Sequence, residues 1–145
     1  MYGSNGKLKA YQDVNNQSAL YADPHRLIQM LMDGFLTRVA AGRHALASKD
    51  YDAKGRELGR AISILNGLRD TLDRDKGGEI AGNLDELYAY MQQQLLEASV
   101  SGRLETLDHV SGLMQELKSG WDGVRDTAVA TQAGPAGAGS VQVRG

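Results

Sequence analysis

The sequence predicts an all-α protein: an antiparallel four-helix bundle, run up-down-up-down, with an N-terminal arm and a disordered C-terminal tail. Three observations predict it. Apolar residues recur at gaps of three and four in four successive stretches. Short connections join the stretches, which favours antiparallel neighbours. No segment alternates apolar and polar residues as a half-buried strand does. With 145 residues, 41% of them hydrophobic, the chain can bury a real core in one domain.

Residues 1–22 form the arm. Gly3, Ser4, Asn5 and Gly6 favour flexibility, and Leu8, Tyr11, Val14, Leu20 and Tyr21 are too sparse for a long helix. Tyr2, Tyr11 and Tyr21 make it richer in aromatics than a purely disordered tail. Two readings stand: an arm packed permanently on the domain, or a detachable arm covering an apolar groove.

The bundle occupies residues 23–126. Asp23 suits the N-cap of the first helix and Pro24 its first position, where a missing N–H costs nothing. Leu27, Ile28, Met30, Leu31, Met32, Phe35 and Leu36 crowd its early turns, more than one core-facing stripe needs. Gly34 and Gly42 each weaken the helix by about 1 kcal/mol relative to Ala and would permit close helix contact. Lys49 to Asp52 connect to a second helix with Leu58, Ala61, Ile62, Leu65, Leu68 and Leu72. Arg69 to Glu79 read as a charged exit and turn, broken by Gly77 and Gly78.

The third helix is expected from about Glu79 to Val100, with Ile80, Leu84, Leu87, Tyr88, Met91, Leu95 and Ala98 as one stripe. Ser101-Gly102 turns the chain. The fourth helix carries Leu104, Leu107, Val110, Met114, Leu117, Trp121 and Val124. Each helix has roughly 22 residues and a length of about 33 Å. Residues 127–145 are small, glycine-rich and uncharged until Arg144, the composition of a disordered tail.

Composition and motifs exclude most chemistry. A formal net charge of -2 gives no polybasic surface for nucleic acid or anionic membrane. The absence of cysteine removes disulfides, thiol catalysis and thiolate metal sites. The N-terminus has no apolar segment of the Sec-signal kind and no stretch suits a membrane span, so the cytoplasm is the expected location. A bundle di-metal site needs Glu-x-x-His, and Ala22, Ala41 and Thr106 stand three residues before His25, His44 and His109. A calcium loop opening at Asp73 would place Leu84 where an oxygen ligand is required. No P-loop occurs. Neither metal nor cofactor is expected. The enzyme-like alternative is a histidine phosphotransfer domain using His44 or His109, although neither is followed by the Leu-Lys-Gly expected there.

What remains is an apolar surplus beyond the four stripes: Met30, Leu36, Ile64, Tyr90, Leu96 and Leu113. It reads either as scattered exposure or as a groove for an amphipathic partner.

Five ordered blocks resemble the flagellar secretion chaperone family, FliS, over about residues 1–125. They are Met1-Tyr2 with Ala10-Tyr11; Pro24 to Gly34, containing Leu27-Ile28-Gln29-Met30-Leu31-Met32-Asp33-Gly34; Lys54-Gly55 with Ala61 to Leu65; Gly78-Glu79-Ile80-Ala81 through Asn83-Leu84, Leu87-Tyr88 and Tyr90-Met91; and Trp121. Met32 replaces the aromatic usual before Asp33-Gly34. The resemblance implies an antiparallel four-helix bundle without catalysis. It implies binding of the disordered C-terminal segment of flagellin in apolar grooves, which prevents premature polymerisation. It further implies delivery to the flagellar type III export apparatus, with an export-gate component as a further partner. A homodimer through the same surface is compatible with it. In this family the arm can occupy part of the groove until flagellin displaces it. On that basis Leu8 and Tyr11 are expected to cap a groove lined by Met30, Leu31, Ile62, Ile64, Leu84, Leu87, Tyr88 and Tyr90. Asn83 either hydrogen-bonds partner backbone or braces the Gly77-Gly78 turn.

Overall fold

The computed structural model describes residues 23–123, so the expected arm, the tail and residues 124–126 lie outside the described residues. Within them the chain forms four helices: α1 (Pro24–Ala47), α2 (Tyr51–Asp70), α3 (Arg74–Ser101) and α4 (Leu104–Gly123). Consecutive helices pack side by side, and α4 returns to close on α1, giving a ring of four seams. Cross-links from the start of α1 to the end of α4, and from the end of α1 to the start of α4, make that pair antiparallel.

Local chemistry accounts for the ends. The Asp23 carboxylate accepts from Arg26 N–H at 3.2 Å, and Pro24 opens α1. At the far end Lys49 sits in the left-handed region with φ 62, while Asp50 N–H reaches Ala45 C=O at 2.8 Å and Lys49 N–H reaches Leu46 C=O at 3.1 Å. That pair of bonds is a Schellman closure, with lysine where glycine is usual. Asp50 then caps α2 by accepting from Ala53 N–H at 3.2 Å. Gly102, with φ 78, ends α3 and returns its N–H to Ala98 C=O at 2.8 Å.

The second connection differs from expectation. The turn is confined to Thr71–Asp73, and α3 begins at Arg74 instead of near Glu79. Asp73 is the reason: its carboxylate accepts from Lys76 N–H at 3.0 Å and starts an extra helical turn. The break falls at Gly78 alone (φ 57, ψ -131), which kinks α3 in a conformation open to glycine and few others.

One core runs through the bundle. Ile28, Met32, Phe35 and Val39 from α1 meet Leu58, Leu65 and Leu68 from α2, Tyr88, Met91 and Leu95 from α3, and Leu107, Val110 and Met114 from α4. The expected stripes are therefore the core-facing stripes. Gly42 does allow a close contact, because a Cβ there would overlap the Leu58 side chain. Gly34 does not need to be glycine on that ground, since its nearest neighbour would be Ile64 Cδ1 at an ordinary 3.5 Å.

Candidate partner-binding surface

The four seams differ in chemistry. Between α2 and α3, Arg69 donates to both Asp85 oxygens at 2.7 and 3.1 Å and to Gln92 Oε1 at 3.0 Å. Gln92 passes a hydrogen bond to Asn66 at 2.7 Å, and Lys54 donates to Ser99 C=O at 2.9 Å. Arg69 donating to Asp85, helped by Arg74 at 2.7 Å, holds that carboxyl below its ordinary value. Between α1 and α4, Arg43 grips Asp108 at 2.6 and 3.0 Å, and Gln29 and Lys118 converge on Asp122 at 2.6 and 2.8 Å. The hydrogen bonds from Arg43 and Lys118 lower the Asp108 and Asp122 carboxyls in the same way.

His25 and Trp121 complete the α1/α4 seam. Their rings stack at 4.9 Å with an interplanar angle of 8°, and each bonds the other's backbone. His25 Nε2 lies 2.7 Å from Trp121 C=O, which can only accept, so Nε2 carries the proton. Trp121 Nε1–H donates to His25 C=O at 3.0 Å. His25 thus supplies a donor to a carbonyl in the last described turn of α4. Spacing along the chain carried no signal for this pair, whose members stand 96 residues apart.

The other two seams are more apolar. Ile64 lies over Gly34 between α1 and α2, and Met30 and Leu31 stand one turn before Gly34 on the same side. Arg38 bonds Glu57 at 2.7 Å further along. Across α3/α4, Tyr90 OH meets His109 Nε2 at 3.0 Å, with the rings edge-on at 5.9 Å. Leu87 precedes Tyr90 by three residues and shares its side. No ion pair joins α3 to α4 among the described residues.

The predicted site residues are thus not gathered in one groove. Met30, Leu31 and Ile64 fall on the α1/α2 edge; Asn83, Leu87 and Tyr90 fall on the opposite α3/α4 edge. Ile62 stands in the α2/α3 seam beside Gln92, and Leu84 lies half-buried on the core stripe of α3. The reason is the ring order: non-adjacent seams cannot share a trough. Tyr88 is a correction, being fully buried at 0% exposure among the core side chains, where burial pushes its phenol above the ordinary value. Its place in the i, i+3, i+4 stripe with Ala81, Met91 and Leu95 already allowed this. Met30 and Tyr90 are the exposed members, at 39% and 41%. Asn83 is exposed on α3, and its side chain forms no hydrogen bond among the described residues. Leu8 and Tyr11 lie outside the described residues.

Of the two exposed histidines, His109 has its Nε2 in a hydrogen bond with Tyr90 OH, and His44 stands on the last turn of α1. Among the described residues no cluster of His, Asp and Glu could hold a metal, and no helix is long and apolar enough to cross a membrane.

The described surface is that of a small helical bundle with two apolar edges set between cross-linked seams. The sequence profile of the family described as flagellar protein FliS matches residues 7–128. The chain is 49% identical over 118 residues to the flagellar secretion chaperone FliSB of Pseudomonas aeruginosa, covering 81% of this chain and 94% of that one. It is 43% identical to the flagellar secretion chaperone FliS of Salmonella typhimurium, with coverages of 83% and 90%. Against that of Bacillus subtilis the identity is 26%, with coverages of 77% and 82%. The chain belongs to the FliS family.

Proposed function

We propose that this protein is a cytoplasmic export chaperone for flagellin. It captures the disordered C-terminal segment of flagellin as helices laid along the two apolar edges, keeps it from polymerising, and presents the subunit to an export-gate component of the flagellar type III apparatus. The observation that carries this reading is the pair of edges headed by the exposed Met30 and Tyr90, backed by the half-buried Leu31, Ile64 and Leu87. Leu84 and Ile62 pack between these edges and the core, and the amide of Asn83 is available to partner backbone. The arm, through Leu8 and Tyr11, covers part of this surface in the unloaded protein. Its few anchors make it a weak competitor, because ordering it costs entropy. Self-association through the same edges would be the resting alternative to the arm.

Capture of this kind couples folding to binding, and ordering the segment costs about 2–5 kcal/mol of the gross interaction energy. Burial of apolar area at about 25 cal/mol per Å² must exceed that cost. Calorimetric titration with the last ~40–60 residues of flagellin from the same cell tests the reading, that length matching a buried area on the order of 1,000–3,000 Å². One-to-one binding with a negative heat-capacity change and a gain of helical circular dichroism is expected. Met30→Asp and Tyr90→Ala, both at exposed positions, each weaken it about tenfold or more, as loss of a packed apolar anchor does. Absence of binding by the folded wild-type protein would sink the proposal.

A further inference from the structure

The two helix pairs that form the apolar edges carry opposite net charge. The α1/α2 half, residues 24–70, has eight Lys and Arg against five Asp and Glu; the α3/α4 half, residues 74–123, has four against nine. Much of the excess is placed around one contact. Tyr90 on α3 is preceded by Glu86 at four residues and followed by Glu97 at seven; His109 on α4 is preceded by Glu105 at four and followed by Glu116 at seven. Those spacings set each trio along one helix face. The Tyr90–His109 hydrogen bond brings the two faces to the same edge. All four glutamates are exposed, and none is in an ion pair among the described residues. The carboxylates elsewhere that face a seam, Asp85, Asp108 and Asp122, are each matched by an arginine or lysine. Glu105 also acts on Arg43 across the α1/α4 seam, so the three that border the apolar strip of Leu87, Tyr90 and Leu113 with no cation in an ion pair among the described residues are Glu86, Glu97 and Glu116.

We propose that the α3/α4 edge takes a Lys- or Arg-bearing amphipathic stretch of the captured segment, its apolar face on Leu87, Tyr90 and Leu113 and its cations toward Glu86, Glu97 and Glu116. This rests on the flagellin-capture reading and adds to it a charge polarity. The captured segment is threaded in one direction, its basic part on α3/α4 and its neutral or acidic part on α1/α2. Rim charges of this sort act chiefly on the rate of association and on its salt dependence. Nearby apolar contacts set the dwell time.

The test uses the full chain and the same C-terminal flagellin segment in stopped-flow association at about 0.05 and 0.5 M salt, a range over which screening shortens from well above to well below 10 Å. Glu86→Lys/Glu116→Lys is expected to slow association about tenfold at low salt, with the difference shrinking at high salt and dissociation little changed. Changing Lys and Arg of the segment to Glu should slow wild type and restore the double variant. Circular dichroism confirms that the exposed substitutions leave the bundle folded. Unchanged association with unchanged salt dependence overturns the inference while leaving capture itself intact. Failure of the wild type to bind at all overturns the capture reading. A concentration-dependent dimer that the double variant abolishes, seen by sedimentation, would give this edge to the α1/α2 half of a second copy, and the inference would fall.

Discussion

At the scale of single residues, the His25–Trp121 pair has the largest role that sequence spacing did not announce. Two buried groups each bond the other's backbone, so removing one side chain removes a buried hydrogen bond. Replacing His25 by Phe keeps a ring for the stack but leaves Trp121 C=O without its donor, and should cost about 1–3 kcal/mol. His25→Ala loses the stack as well and should cost more, by roughly the 0.5–1.5 kcal/mol an aromatic pair adds. Urea unfolding followed by far-UV circular dichroism measures both, and the emission of the single tryptophan reports separately on the seam. Tyr88 and Tyr90 teach the same lesson from the other side. They stand two positions apart on one helix, yet one is fully buried and the other is 41% exposed. Periodicity separates them: Tyr88 lies in the stripe and Tyr90 off it. Grouping both as contact residues overrode that periodicity.

Helices were legible to the extent that their caps and stripes were local. Asp23-Pro24 marked the start of α1, and the stripes of α2 and α4 became core without shifts in phase. The start of α3 was misread because Gly77 and Gly78 looked like a joint break, whereas Asp73 with Lys76 three residues on is a capping pair that initiates helix before them. That consecutive helices are neighbours was legible from the short connections, whereas which side chains face which seam was not, since that depends on ring closure between α1 and α4. Two glycines on α1 sharpen the distinction between tolerance and need. Gly42→Ala would drive a methyl into Leu58 Cγ at 2.8 Å. Overpacking of that order costs about 1–3 kcal/mol, and the gain in helix propensity offsets about 1. A net loss of about 1 kcal/mol is expected. Gly34→Ala meets Ile64 at ordinary contact distance and should instead gain about 1 kcal/mol. Opposite shifts in the urea midpoint check this, and equal shifts would mean that Leu58 repacks freely.

For the molecule as a whole, stability has an acid limb whose sign follows from the seams. Asp85, Asp108 and Asp122 all lie below the ordinary 3.8 because arginine or lysine donates to them in the folded state. The unfolded chain therefore binds more protons as pH falls. Their contribution is fully present above about pH 5, and is lost as pH drops through 4 and then through the lowered folded values. The urea midpoint should decline below about pH 4 as these carboxylates protonate. Asp85→Asn should reduce stability by about 1 kcal/mol at neutral pH, at the upper end for a networked pair, and flatten the acid decline. A steeper decline in that variant would contradict the assignment. The antiparallel closure of α4 on α1 also fixes how the protein is held by its own ends. Because His25 touches Trp121, the chain enters and leaves the bundle at one pole, and the opposite pole carries only the Ser48–Asp50 and Gly102–Arg103 turns. A probe attached at residue 23 therefore sits at the same pole as one attached at residue 123, and both apolar edges run lengthwise away from it.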